Sequence, residues 1–529
     1  MDTKALRQKI LDLAIRGKLV PQDPNDEPAS VLLERIREEK QQMLKEGKLK
    51  PKDVKNDTII FRGEDNLHYE KFRDGTMKCI EDEIPFEVPE GWAWARMISI
   101  SNDLPYGTAR KSTGFGNVAV IRMGNIQAGE IDYTDLVYSS DEENIRKYWL
   151  NKDDLLFNRT NSAELVGKTA IYRGNIPAIY ASYLIRIRSF INAEYLNAVM
   201  NSGYAKDYCN SIRTDGVNQS NINAQKLGNF LVPIPSKFEQ EKIATRITQL
   251  LPAILTIQMN KQAVNELVNK TKSKILDLAI RGQLVPQNPD DEPASILLER
   301  IRSEKEKLIK QGKIKRDKKE SIIFRDDDNS YYRDDKNATI DISDELPFTI
   351  PNSWCWGILK DIVIINPRNK LADDTEVSFI PMPLIEDGYS GRHTSETRKW
   401  EEVKMGFTHF KEGDIGFAKI TPCFENKKST IFKNLCNGYG AGTTELHVLR
   451  PYKDTILPEY LLAYVKTNQF IENGKQTLSG AVGQQRIGKA YIENTYFPIP
   501  PIKEQHRIIK QLEDLFSYLN TMADALLSV

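Results

Sequence analysis

The stretch KILDLAIRGKLVPQDPNDEPASVLLERIREEK, Lys9–Lys40, returns as KILDLAIRGQLVPQNPDDEPASILLERIRSEK, Lys274–Lys305, at an offset of 265 residues. A self-match of this length sets the architecture before any single element does. Working outward, TIIFR (Thr58–Arg62) returns as SIIFR (Ser321–Arg325), and IPFEVPEGWAW (Ile84–Trp94) as LPFTIPNSWCW (Leu346–Trp356). VPIPSKFEQ (Val232–Gln240) returns as FPIPPIKEQ (Phe497–Gln505), again at 265. Doubling that offset gives one residue more than the 529 of the chain. The central stretch Ser236–Gly282, shifted by 265, matches Pro501–Val529 with its first part and Met1–Gly17 with its last. The two ends supply in two pieces what the middle supplies in one, as in a ring of two repeats opened at one point.

Helical spacing dominates the repeated parts. Ser236 with Glu239 three residues on is a capping box, and Gly282 is a stop, so Ser236–Gly282 predicts one long helix or two stacked ones. Pro252 predicts a kink near its first third. Ile243, Ile247, Leu250, Ile254 and Ile257 form an apolar stripe, as do Ile508, Leu512, Leu515, Leu519, Met522 and Leu526. Each stripe needs a partner, and the expectation is that the other copy supplies it, through antiparallel helices and a pseudo-two-fold axis with both termini on one side. Pro28–Glu46 and Pro293–Gln311 predict further helices. Lys48–Glu83 and Lys313–Glu345, highly charged, read as extended, partly mobile connectors. The rest is two cores, Ile84–Pro235 and Leu346–Pro500, whose β-branched runs VAVIRM (Val118–Met123), YLIRIR (Tyr183–Arg188) and ELHVLR (Glu445–Arg450) predict strands. Each also carries a helical stretch, Ala193–Tyr208 and Pro458–Asn473. The expected fold is α+β: helical regions 1–55, 236–316 and 501–529, and α/β cores 84–235 and 346–500.

Composition excludes several functions. Apolar residues make up 40% and charged residues 28% of the chain, an ordinary globular balance. No apolar run approaches the roughly 18–20 residues of a membrane span. The five cysteines are scattered and never form CxxC, which predicts reduced thiols in a cytoplasmic protein and no zinc site. No GxxxxGK[ST] loop, HExxH pair or GxSxG elbow occurs. Gly114-Phe-Gly116-Asn-Val-Ala119 fits a dinucleotide fingerprint on paper, but a polar run rather than a strand precedes it. A non-catalytic binding subunit without cofactor or metal is the simplest expectation.

Both cores contain clusters suited to reading DNA. In the first, Asn158, Arg159, Thr160 and Asn161 crowd a strand-to-loop junction followed by Lys168. Arg110 and Lys111 lie in a Gly-flanked loop, and Asn218, Gln219 and Asn221 in an amide-rich one. In the second, Lys419, Thr421, Asn426 and Lys427 follow the strand DIGFA, Arg368 and Lys370 follow IINP, and Gln484, Gln485 and Arg486 follow a Gly-rich turn. Arg and Lys fit guanine edges, Asn and Gln fit adenine edges, and Ser, Thr and Lys fit phosphates. Net charge is zero, with 74 basic and 74 acidic residues, so counterion release gives the isolated chain only modest affinity for duplex. The first core holds 15 residues of each sign, the second 18 basic and 17 acidic.

The two-repeat layout, DDLLFNRTNSAELVGKTAIY with SYLIRIR, GDIGFAKITPCFENKKSTIF with GTTELHVLRP, and the PIP–EQ junctions at Val232–Gln240 and Phe497–Gln505 resemble type I restriction–modification specificity subunits. The resemblance covers nearly the whole chain. It implies two target-recognition domains, 84–235 and 346–500, each reading half of a split double-stranded DNA target. It implies helices that dock two methyltransferase (modification) subunits, which carry S-adenosylmethionine, and a restriction/translocase subunit joining through the complex. The first core has NRTNSAELVGK where the second has AKITPCFENKK, so the residues offer no pairing of base contacts between them. A coiled-coil scaffold with two protein-binding heads is the alternative reading.

Overall fold

The computed structural model describes residues 2–528 apart from 218, 317–319, 328, 336–337 and 482. It divides into two compact units, Met1–Asn260 and Lys261–Val529. The boundary falls inside one continuous helix, Lys237–Ile280, which Pro252 does not divide.

The first unit opens with helices Thr3–Ile15 and Ala29–Lys45. The second helix buries Leu32, Ile36 and Lys40, one face at helical spacing. A fully buried lysine needs acceptors, and Lys40 Nζ donates to Asp57 Oδ1 at 2.7 Å and to the Ile98 carbonyl at 2.9 Å. The segment expected to be a mobile connector is instead a three-stranded meander, Ile59–Arg62, His68–Lys71 and Met77–Cys79. Its strands are only three or four residues long, too short for charged flanks to reveal alternation. Glu70 on the middle strand receives Arg96 Nη2 at 2.7 Å and anchors the meander to the recognition core.

That core is built on a five-stranded sheet in the order Leu184–Ile187, Leu155–Asn158, Thr169–Ile171, Glu130–Ile131, Ile126–Gln127. Leu155–Asn158 is buried on both faces: Leu155 and Phe157 join one apolar cluster and Leu156 another. Double burial explains its unbroken apolar run. The predicted helix Ala193–Tyr208 is two helices, Ala193–Met200 and Gly203–Ile212. Ser202 interrupts it, because its hydroxyl caps the second helix at the Ala205 N–H.

The second unit repeats the plan. Helix Ala294–Lys310 buries Lys305, which pairs with Glu320 and Asp361. A meander of Ile322–Arg325, Tyr331–Asp334 and Thr339–Asp341 again replaces the expected connector. The core sheet runs Val363–Ile365, Leu446–Pro451, Ile415–Ala418, Ser429–Ile431. Gly416 is required there: a Cβ would lie 2.4 Å from the Phe432 ring, which stacks on Phe410 at 3.6 Å. Pro458–Asn473 also splits, at Thr467, whose hydroxyl caps Phe470.

The PIP–EQ junction works the same way in each unit. Ser236 Oγ accepts from the Glu239 N–H at 3.0 Å, half of the predicted capping box. The Glu239 carboxylate goes elsewhere, accepting from Trp92 Nε1 at 2.8 Å; Trp354 and Glu504 repeat this at 2.9 Å. Gln240 accepts from the Asn192 N–H and donates to the Pro235 carbonyl, while Gln505 accepts from Leu457 and donates to Pro500. Each long helix is thus locked to its own core at its first turn. Ile243 and Ile247 accordingly pack with Leu11, Ala14 and Ile15 in the first unit, and Ile508 and Leu512 with Leu276, Ala279 and Ile280 in the second. The start of each stripe is therefore covered by its own unit. Within the second unit, Lys261 reaches the Leu527 carbonyl and Lys272 reaches Asn520, which makes 261–280 and 502–528 an antiparallel pair.

Candidate nucleic-acid interface

The residue after the central strand occupies the same backbone frame in both cores. In the first, the Arg159 N–H donates to the Tyr183 carbonyl at 3.0 Å, and the Arg159 carbonyl accepts from Ile222 at 2.9 Å. In the second, Lys419 donates to the Glu445 carbonyl at 2.9 Å and accepts from Ile487 at 3.0 Å. One residue earlier, Asn158 donates to the Lys168 carbonyl and Ala418 to that of Lys428. This hydrogen bonding pairs Arg159 with Lys419 and Asn221 with Arg486. Residue identities hide the correspondence because backbone groups alone carry it.

Around the first cation the side chains form one cluster. Arg159 lies over the Tyr106 ring, its Cζ 4.6 Å from the centroid, and donates through Nη2 to Asn221 Oδ1 at 3.2 Å. Asn221 donates in turn to Thr160 Oγ1 at 2.8 Å, and the Tyr106 hydroxyl accepts from the Ala224 N–H. Gln219 is exposed on the hairpin that carries Asn221. Asn161 accepts from the next N–H, and Lys168 reaches Gln127 Oε1 at 3.4 Å. Asn158 is buried with its amide toward the Leu165 carbonyl, so it supports the loop from inside. Arg110 is held apart by Asp141 and by Glu143 at 2.9 Å, and these carboxylates raise its pKa. Lys111 is exposed beside it, and Asn218 lies outside the described residues.

Around the second cation, Arg486 donates through Nε and Nη2 to Glu445 at 3.0 and 2.9 Å, which lowers the pKa of that carboxylate. Among the described residues none accepts a hydrogen bond from the Lys419 ammonium. Thr421 Oγ1 accepts from the Gln485 N–H at 3.1 Å and fixes the turn that exposes Gln484. Arg368 donates to the Phe407 carbonyl, Lys370 is exposed, and Asn426 is exposed on the turn after Pro422. Lys427 turns inward to the Tyr389 hydroxyl, the Lys466 carbonyl and Asn468, and burial pushes its pKa down to about 8. A phosphate at Lys427 would have to displace three internal acceptors.

Tyr106 and Glu445 were absent from the expected set. Both orient a cation rather than offer a donor, so composition alone gave them no signal.

A family model described as type I restriction modification DNA specificity domain matches residues 106–267 and again 352–527. The chain belongs to this family. Each match of the specificity domain begins ahead of the framed cation and runs into the long helix beyond its core. The specificity chain is similar to the type I restriction enzyme EcoAI specificity subunit of Escherichia coli, 47% identical over 251 residues, covering 47% of this chain and 40% of that one. It is also similar to the EcoEI specificity subunit of Escherichia coli, 44% identical over 260 residues, covering 49% and 40%. The chain thus spans well under half the length of these two relatives in each match. A solved chain from work on complex assembly and conformational transition of the type I R-M system is 14% identical over 84% of this chain and 98% of that one, with a TM-score of 0.43. No described helix is long and apolar enough to cross a membrane.

Proposed function

We propose that this chain is the non-catalytic, sequence-specific DNA-binding subunit of a type I restriction–modification complex, with each core reading one half of a bipartite duplex target. The observation that carries the reading is the framed cation, Arg159 in one unit and Lys419 in the other, each set among amide and hydroxyl side chains that fit base edges and phosphates. Asn161, Lys168, Gln219 and Asn221 complete the first surface, and Thr421, Gln484, Gln485 and Arg486 the second. Lys111, Lys370 and Asn426, with Arg110 and Arg368, flank them. The helices dock two methyltransferase subunits, and a restriction/translocase subunit joins through the complex. Large apolar side chains left exposed support docking: Leu255 and Met259 on the central helix, and Tyr518, Met522 and Leu526 at helical spacing on the last one. With zero net charge on this chain, basic partners closing on the duplex supply the missing electrostatic attraction. The test is binding of defined duplexes by the chain with its modification subunits, with methylated positions then mapped. Selective, salt-dependent binding and a split methylation motif are expected. Methylation or cleavage by the chain alone, or binding indifferent to sequence, would overturn the proposal.

A further inference from the structure

We infer that Arg159 and Lys419 are equivalent guanine-reading residues, one per half-site, and that Tyr106 with Asn221 and Glu445 with Arg486 are their positioning residues. The inference rests on the DNA-reading function proposed above and names the base and the side chain.

The two residues share a backbone position, since both of their main-chain groups are fixed by the same two neighbouring segments. What differs is how each side chain is steadied. The Arg159 guanidinium is stacked on Tyr106 and tied to Asn221, while its contact to the Ser182 carbonyl is 3.5 Å, leaving donors on one edge to offer. In the second core the aromatic shelf is replaced by charge: Glu445, which supplies the frame's carbonyl, holds Arg486 through two hydrogen bonds and lies near Lys419. Arg486 is thereby engaged, and Lys419 remains the unengaged cation. Ordering a long side chain has an entropic cost, and a phosphate contact does not require it, because a flexible lysine serves there equally well. Two different devices that hold a cation at one position point to a target with fixed direction.

The chemistry of that target is set by the donors. Arg and Lys carry only N–H donors. In the major groove guanine presents two acceptors, N7 and O6. Adenine pairs its acceptor with an N6 donor, cytosine presents a donor, and thymine one acceptor beside a methyl group. A donor-only side chain therefore selects guanine.

The experiment presents the chain, assembled with its modification subunits, with a randomised duplex library and sequences the bound fraction. Wild type is expected to select a split motif with a guanine in each half. Arg159→Ala should lower the preference for one guanine on the order of 10-fold and leave the other half unchanged; Lys419→Ala should do the reverse. The untouched half reports that each variant is folded. Arg159→Gln should move the preference from guanine toward adenine, and Tyr106→Ala should blur the same position that Arg159→Ala removes. If Arg159→Ala weakens all sequences equally and flattens the salt dependence, the residue is a phosphate contact and the inference falls. If exchange of the whole first core changes a half-site while Arg159→Ala changes no base, the inference falls and the proposed function stands. A wild type that selects no motif overturns both.

Discussion

His447 lies one residue contact from the Lys419 frame. Its Nδ1 faces the Asn366 amide and its Nε2 faces the Ile487 carbonyl, both at 3.3 Å, the pattern of a neutral ring donating through Nε2. Burial, opposed by the Ile487 carbonyl, pushes its pKa from 6.5 down to about 4. Between those values the unfolded chain carries a proton that the folded one does not, so stability of the second unit rises with pH across the window and is lost as pH falls through it. The full effect is up to about 3 kcal/mol. Urea midpoints at pH 7 and pH 5 should separate more for wild type than for His447→Gln; equal separation would reject the role. Acid should also weaken the half-site read by Lys419 before the other. None of this was legible in sequence, where His447 is one letter of a strand. Lys427 shows the opposite error: a KK pair in a polar loop reads as phosphate-binding, yet its positive φ of 57° and three internal acceptors turn it inward. Arg159 was legible as a candidate because its strand-to-loop junction could be placed. Its equivalence to Lys419 needed the backbone.

At the scale of elements, the locks between helix and core carry the fold. Trp354 is buried and gives its indole N–H to Glu504, whose pKa burial raises despite that bond. Glu504→Ala should leave the donor unmet and cost the second unit about 1–3 kcal/mol, whereas Glu504→Gln should cost less. Denaturation monitored by tryptophan fluorescence distinguishes them, and equal losses would contradict the lock. Sequence made the helices legible, since Ala29–Lys45 and Ala294–Lys310 start at a proline and end before a glycine. It concealed the meanders, whose stability comes from pairing across strands: Phe61 with Tyr69 at 6.0 Å, and Phe324 with Tyr332 at 5.9 Å. It also concealed the breaks at Ser202 and Thr467, where a capping hydroxyl outcompetes helical continuation.

At the scale of the whole molecule, the repeat was the most legible feature, because duplication survives as near-identity in the helical parts. The cores were legible only at their edges, where they meet those helices. Exchanging Ile84–Pro235 for the same core of a related specificity chain should change one half of the methylated motif and leave the other intact; a change in both, or in neither, would reject modular reading. Inserting four residues at the boundary between Asn260 and Lys261 should lengthen the preferred gap between half-sites without altering either. An unchanged gap would show that the helix does not set it. That boundary lies within 44 residues of uninterrupted helix, and a rigid rod transmits phase as well as length. Each residue added there shifts the remainder of the rod by about 1.5 Å and turns it by about 100°. Gap length therefore cannot drift continuously. It can change only in steps that bring the rotation of the rod back into register with the winding of the duplex, so most single insertions in this helix should abolish function and a few should found a new specificity.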